Sequence, residues 1–212
     1  MKKHFFFFIL LLFPLLAAAQ TYKYIGVEDG LSNRRVYAIQ KGPKGYMWFL
    51  THDGIDRYNG KEFKHYKLMD GEEEVNSMMS LSWLYTDAKG RLWEIGKQGR
   101  VFCYESKHDR FQLIYKLPKS ETKDLHTPVS YGFIDDNYIV WLCNQKNIYL
   151  YDSETERCTT IKNEINESIT DIEQIDANHY FIGTDVGIHY AELKNNKLML
   201  SPCNKLDTLK LQ

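Results

Sequence analysis

Along most of this chain, apolar and polar residues alternate in short runs. Clusters rich in glycine, asparagine, aspartate and proline separate the runs. A period of two over so short a stretch predicts half-buried β-strands, and no segment sustains a helical period. Residues 120–125 come nearest to one and read as a loop. The strands fall in groups of four. The first group covers residues 36–40, 46–50, 55–58 and 63–66; the second 81–85, 91–95, 101–104 and 111–115. The third covers 129–134, 138–143, 148–151 and 158–161; the fourth 169–175, 180–183, 187–191 and 198–200. Turn residues divide the first two strands of each group: Gly42-Pro43-Lys44-Gly45, Asp87-Ala88-Lys89-Gly90, Asp135-Asp136-Asn137 and Asp176-Ala177-Asn178. Glycine and asparagine at these places supply the positive φ that tight hairpins need.

Each group carries an aromatic anchor on its second strand: Trp48, Trp93, Trp141 and Phe181, separated by 45, 48 and 40 residues. A period of about 40–50 residues is that of a propeller blade. The fold class expected is therefore all-β: a β-propeller of four-stranded antiparallel blades, with about four blades present. The blades span roughly residues 31–67, 75–116, 127–163 and 165–202. Residues 22–27 read as a further strand that would close a ring, but position four of the last blade is already filled, so they are left unpaired. The expected ring is incomplete, because an open sheet edge invites association that closed folds avoid. The competing reading is a self-sufficient four-bladed ring.

The N-terminus stands apart from this pattern. Met1-Lys2-Lys3-His4 is basic, residues 5–16 are apolar apart from Pro14, and Ala17-Ala18-Ala19 supplies small residues. That layout is a secretory signal peptide, residues 1–19. Its apolar run of about 12 residues is short of the roughly 20 a membrane-spanning helix needs. No Cys follows the alanines, so a lipid anchor is not expected, and no second long apolar stretch follows. Residues 20–212 then form the propeller region.

Composition refines the picture in three places. Aromatics make up 14% of the chain, with 15 Tyr, 11 Phe and 4 Trp, but Phe5, Phe6, Phe7, Phe8 and Phe13 leave with the leader. The 27 Lys+Arg against 28 Asp+Glu give a formal charge of -1. That balance removes the electrostatic case for a nucleic-acid partner. Cys103, Cys143, Cys158 and Cys203 would enter an oxidising compartment, where a disulfide is open to them. Cys143 and Cys158 lie on non-adjacent strands of one blade, a geometry that disfavours that pair.

Gly30-Leu31-Ser32-Asn33, Val36-Tyr37-Ala38-Ile39, Lys44-Gly45-x-x-Trp48, Gly54-Ile55-Asp56-Arg57-Tyr58 and Phe63-x-x-Tyr66 together resemble the two-component-regulator propeller repeat. The third repeat departs from it: Asn144-Gln145-Lys146-Asn147 replaces the glycine-containing turn. That repeat builds the periplasmic sensor region of hybrid two-component histidine kinases in Gram-negative bacteria. The resemblance implies a periplasmic ligand-sensing module of a signal-transduction sensor, with a glycan or glycan fragment as ligand. A whole member adds further blades, an immunoglobulin-like domain, a membrane helix and a kinase. The expectation is thus a truncated sensor that associates with itself through its sheet edge or with remaining sensor domains. The alternatives are a propeller-fold lyase or hydrolase and an inert gene remnant.

The anchors Trp48, Trp93 and Trp141 are expected to pack between blades rather than to stack on a ligand. Binding residues are sought on the loops at one mouth of the propeller. One set precedes the inner strands: Asn33, Arg34, Arg35, and then Asn76 and Ser77. The other joins second and third strands: His52 and Asp53, Lys97 and Gln98, Asn144 and Gln145, Thr184 and Asp185. Amides, carboxylates and guanidinium groups offer the paired donors and acceptors that hydroxyl-rich or acidic ligands require. No H-E-x-x-H, G-x-S-x-G, C-x-x-C or G-x-G-x-x-G occurs, so no catalytic residue, metal or cofactor is expected. Asp87-x-x-Gly90-x-x-Trp93 is similar in outline to the aspartate box of propeller sialidases, but its spacing is wrong and it lies on a structural hairpin. Glu72-Glu73-Glu74 reads as a solvated interblade loop. The seven His show no metal-ligand spacing.

Overall fold

The computed structural model describes residues 22–75, 82–122, 129–165 and 167–202. The leader, Asn76, Ser77, His126, Cys203 and the C-terminal residues 209–212 lie outside them. Four antiparallel sheets of four strands each follow one another. Blade 1 comprises β1 (Val36–Lys41), β2 (Met47–Thr51), β3 (Gly54–Tyr58) and β4 (Phe63–Tyr66). A small hairpin of β5 (Met69–Asp70) and β6 (Glu73–Glu74) leads to blade 2: β7 (Ser82–Thr86), β8 (Leu92–Gly96), β9 (Arg100–Glu105) and β10 (Arg110–Lys116). A single helical turn, α1 (Lys119–Thr122), precedes blade 3: β11 (Tyr131–Ile134), β12 (Ile139–Cys143), β13 (Asn147–Asp152) and β14 (Arg157–Lys162). Blade 4 is β15 (Ile169–Gln174), β16 (His179–Thr184), β17 (Ile188–Lys194) and β18 (Lys197–Pro202).

The first strand of each blade packs against the first strand of the next: β1 on β7, β7 on β11, β11 on β15. This is the radial order of a propeller, and no comparable packing joins β15 to β1 among the described residues. The hydrophobic core is accordingly divided into three slabs, one per interblade junction. Trp48, Leu50 and Ile55 of blade 1 meet Leu84, Phe102 and Phe111 of blade 2. Trp93, Ile95 and Val101 meet Val140, Leu142 and Tyr149. Trp141, Cys143 and Ile148 meet Ile172, Tyr180 and Ile182. Each anchor tryptophan thus faces the following blade, where a large aromatic ring removes about 150–250 Å² from water. On the last blade Phe181 holds the equivalent register, paired with Glu173 and Tyr190.

Several local features differ from the sequence expectations. Residues 22–27 are not a ladder strand: they have no sheet partner among the described residues, Tyr22 and Tyr24 are exposed, and Val27–Asp29 form a 3-10 turn. Asp29 closes that turn by accepting the Gly26 N–H at 3.0 Å, and Gly30 leaves it at φ 105. Glu73 and Glu74 belong to the β5–β6 hairpin rather than to a loop. There Glu74 pairs with Lys67 at 2.7 Å and Glu73 lies 3.6 Å from Arg100. In the third blade's first hairpin the positive φ falls on Tyr138, at 64°, where the first two blades place Gly45 and Gly90, each at 75°. The hydrogen-bond pattern of the turn fixes which position must be left-handed. Tyr138 N–H bonds Asp135 C=O as Gly90 N–H bonds Asp87 C=O. Cys103, Cys143 and Cys158 are free thiols, and burial pushes the Cys103 thiol up to about 12.

Candidate functional site

The anchors reveal what the aspartates of the hairpins do. Asp87 accepts the backbone N–H groups of Lys89 and Arg91 and the Trp93 indole N–H at 2.9 Å. Asp135 accepts the N–H groups of Asn137 and Ile139, the Trp141 indole N–H at 3.1 Å and the Tyr180 hydroxyl at 2.8 Å. Burial raises the Asp135 carboxyl above its ordinary value. These carboxylates are consumed in tying a turn to an anchor and are not free for chemistry. In blade 1 the same position is Gly42, and the buried Trp48 indole N–H has no acceptor among the described residues. A Cβ on Gly42 would lie 2.4 Å from that nitrogen, so the indole occupies the space the aspartate fills elsewhere.

The loop residues expected to form one mouth resolve into separate clusters. On blade 1, Asn33 Nδ2 donates to Asp53 Oδ2 at 3.0 Å and Tyr37 OH lies 3.0 Å from His52 Nδ1. Arg34 and Arg35 are exposed beside them, and Asn33 Oδ1 accepts the Arg35 N–H at 2.8 Å. On blade 2, Lys97 lies 5.7 Å from the centre of the Trp83 ring, and Gln98 Oε1 accepts from Arg100 at 2.6 Å. Gln98 and Arg100 border a cleft of about 500 Å³ with Asp70 and Lys116. Its charges largely cancel inside the protein, because Asp70 pairs with Arg100 and Lys116 at 3.0 Å each and is held below the usual carboxylate range.

On blades 3 and 4 two of the expected residues meet. Gln145 and Asp185 line one groove of about 480 Å³, together with Lys146, Glu167, Ser168 and Val186. Asn144, next to Gln145, is spent locally: its Oδ1 accepts the N–H groups of Lys146 and Asn147 at 2.9 and 2.7 Å. Thr184 donates to Glu167 Oε2 at 2.5 Å, and His189 Nε2 reaches the same oxygen at 2.8 Å. These contacts hold Glu167 below the usual carboxylate range. Asp185 Oδ1 accepts the Ser168 N–H at 3.1 Å, which ties the two rims of the groove together. Among the described residues, the side chains of Gln145 and Lys146 bond nothing within the protein. The groove therefore offers an amide, an ammonium, carboxylates and a hydroxyl beside an apolar edge at Val186. Glu167 and Ser168 were readable in sequence. They lie on the loop before the inner strand of blade 4, the same loop class as Asn33 to Arg35.

The fold so defined is that of a β-propeller, and known structures share it. No protein-family model matches the chain, and no curated protein matches it in sequence. Among solved structures, it is similar to the extracellular domain described as that of hybrid two component system BT3049 from B. thetaiotaomicron. The TM-score is 0.65 at 20% identity, over 84% of this chain and 26% of that one. It is also similar to virginiamycin B lyase from Staphylococcus aureus, with a TM-score of 0.60 at 16% identity over 81% of this chain and 57% of the lyase. A third similarity is to PorZ, a surface component of the type-IX secretion system of Porphyromonas gingivalis, with a TM-score of 0.51 at 12% identity. The chain spans about a quarter of the BT3049 domain and over half of the lyase. Among the described residues no helix is long and apolar enough to cross a membrane.

Proposed function

We propose that this chain is a periplasmic ligand-sensing propeller module of a two-component signal-transduction sensor, and that it binds rather than transforms its ligand. The likeness of fold to the extracellular domain of BT3049 over 84% of the chain supports the sensor reading most directly. The repeat signature of the first blade supports it from the sequence side. The ligand class is a glycan or glycan fragment, and the groove between blades 3 and 4 is the site. Hydroxyl-rich ligands are recognised by planar amides and carboxylates, which offer paired donors and acceptors. Gln145, Asp185 and Glu167 provide them there.

Isothermal titration of the protein against neutral and acidic oligosaccharides tests this reading. Saturable binding of one glycan class, with no change in that glycan on prolonged incubation, is the expected result. Well-folded protein that binds none of them defeats the ligand assignment. Turnover of a bound glycan defeats the non-enzymatic one and favours a lyase or hydrolase.

A further inference from the structure

The two ends of the blade series carry residues that every interior junction buries. Ile188 on β17 pairs with Gly183, as Ile55 pairs with Leu50, Val101 with Ile95 and Ile148 with Cys143. Ile55, Val101 and Ile148 are 0% exposed, whereas Ile188 is 56% exposed. At the other end, Ile39 pairs with Phe49 as Leu84 pairs with Glu94 and Ile172 with Ile182. Leu84 and Ile172 are 5% and 2% exposed, and Ile39 is 56% exposed. Residues 22–33 cover part of that face: Ser32 N–H donates to Asp56 on β3 at 2.7 Å, Ser32 Oγ lies 2.8 Å from Thr51 Oγ1 on β2, Lys23 lies 3.4 Å from the Tyr58 hydroxyl, and Ile39 on β1 stays exposed. Among the described residues, blade 4 therefore presents uncovered the face that elsewhere receives the next blade. Blade 1 presents the face that elsewhere packs on the blade before.

We propose that these end faces cover each other between two copies of this chain, with the Ile188 face of one copy packed on the Ile39 face of the next. Three junctions inside the chain show that this pairing of faces is favourable, since each buries the same positions in the same register. Charge fits as well. Lys41 has Thr86 and Gln174 as its repeat equivalents, and both bond the corner of the preceding blade. Thr86 donates to Lys41 C=O at 2.8 Å, and Gln174 Oε1 accepts the Asp136 N–H at 2.6 Å. In the docked pair, Lys41 of one copy meets the matching corner of blade 4, which carries Glu173 and Asp176. The contact is head-to-tail, so unlike surfaces meet and each copy has one of each.

Sedimentation velocity over a range of protein concentration tests this with Ile188→Glu and Ile39→Glu. Both positions are exposed, so both variants fold, as circular dichroism melts check; Ile188→Ser and Ile39→Ser replace any that melts early. The wild type is expected to associate as concentration rises. Each variant alone weakens association by more than about tenfold, because a carboxylate would be buried unpaired. An equimolar mixture of the two variants restores a dimer, since one intact head still meets one intact tail. A wild type that is monomeric throughout overturns the proposal. So does association that survives in both variants, or a mixture that stays monomeric; these point to another surface or another partner for the two faces.

Discussion

Asp135 accepts the Tyr180 hydroxyl of the next blade at 2.8 Å through the same carboxylate oxygen that accepts the Trp141 indole at 3.1 Å. One side chain thus ties a hairpin, an anchor and an interblade junction. Asp135→Ala leaves two buried side-chain donors and two backbone N–H groups without that acceptor, and a cost of about 3–5 kcal/mol is expected. Asp135→Asn keeps an acceptor and costs less, since burial already disfavours the charge. Urea unfolding of both variants checks the order; equal losses would show that charge rather than acceptance matters.

Gly42 and Trp48 make the opposite case. The Gly42 backbone sits at φ -109, which any residue adopts, so the glycine is required for space and not for conformation. Gly42→Ala forces a Cβ onto the buried indole. Overpacking of this kind costs about 1–3 kcal/mol. A thermal melt unchanged from wild type would mean that Trp48 has room to move.

The sixteen blade strands were legible because alternation and turn residues reinforce one another, and each lies within about three residues of its expected bounds. The β5–β6 hairpin was not, because two-residue strands carry no period. Residues 22–27, expected as an unpaired strand, have no sheet partner among the described residues, and the alternation of Tyr and Ile there reflects no ladder. Tyr138 was missed as the left-handed residue because its type argues against that conformation. The site was half legible. Gln145 and Asp185, expected on loop class, line the candidate groove, and so does Glu167, which lies in a loop class already named but was not singled out. That Asn144 and Asn33 serve their own loops depends on side-chain direction, which spacing does not encode.

Glu94 is buried between blades 1 and 2, and among the described residues one of its carboxylate oxygens has no partner. Burial pushes its pKa from 4.5 up to about 7, against the lowering effects of Ser82 and Arg100. Between these values the folded protein holds a proton that the unfolded chain has released, so stability falls as pH rises across that window. At ~1.4 kcal/mol per unit, the loss amounts to about 3 kcal/mol. Glu94→Gln removes it. Unfolding free energies at pH 5 and pH 7.5 should converge in the variant by that amount relative to wild type (roughly, by the same linkage). Parallel pH profiles would count against this burial.

Asp109 staples blade 2 to blade 1: it accepts from Tyr66 and from Arg57 at 2.7 Å each, and from Lys64 and Tyr104. The pairs differ in worth because Tyr66 is buried and Lys64 is half exposed. Double-mutant cycles should give about 1.5–3 kcal/mol for Asp109 with Tyr66. With Lys64, solvent screening leaves about 0–1 kcal/mol. The reverse order would place the strength of this junction in its surface ion pair.

The groove between blades 3 and 4 competes with the cleft bordered by Gln98 for any ligand, and their wiring separates them. Arg100 and Lys116 already share Asp70, so a ligand there must break existing ion pairs. Among the described residues Gln145 has no such commitment, and Asp185 is held by Ser168. For any glycan the protein binds, Gln145→Ala and Asp185→Ala should each weaken affinity by about tenfold, the loss of roughly one hydrogen bond. Gln98→Ala should leave it within about twofold, below the worth of one such bond. Gln145→Ala should melt as wild type, whereas Asp185→Ala and Gln98→Ala each lose one bond, to Ser168 N–H and to Arg100, worth about 0.5–1.5 kcal/mol, so titration is read at a temperature where all three are folded. A loss confined to Gln98→Ala would move the site to blade 2, and its ligand would then have to displace Asp70 from Arg100.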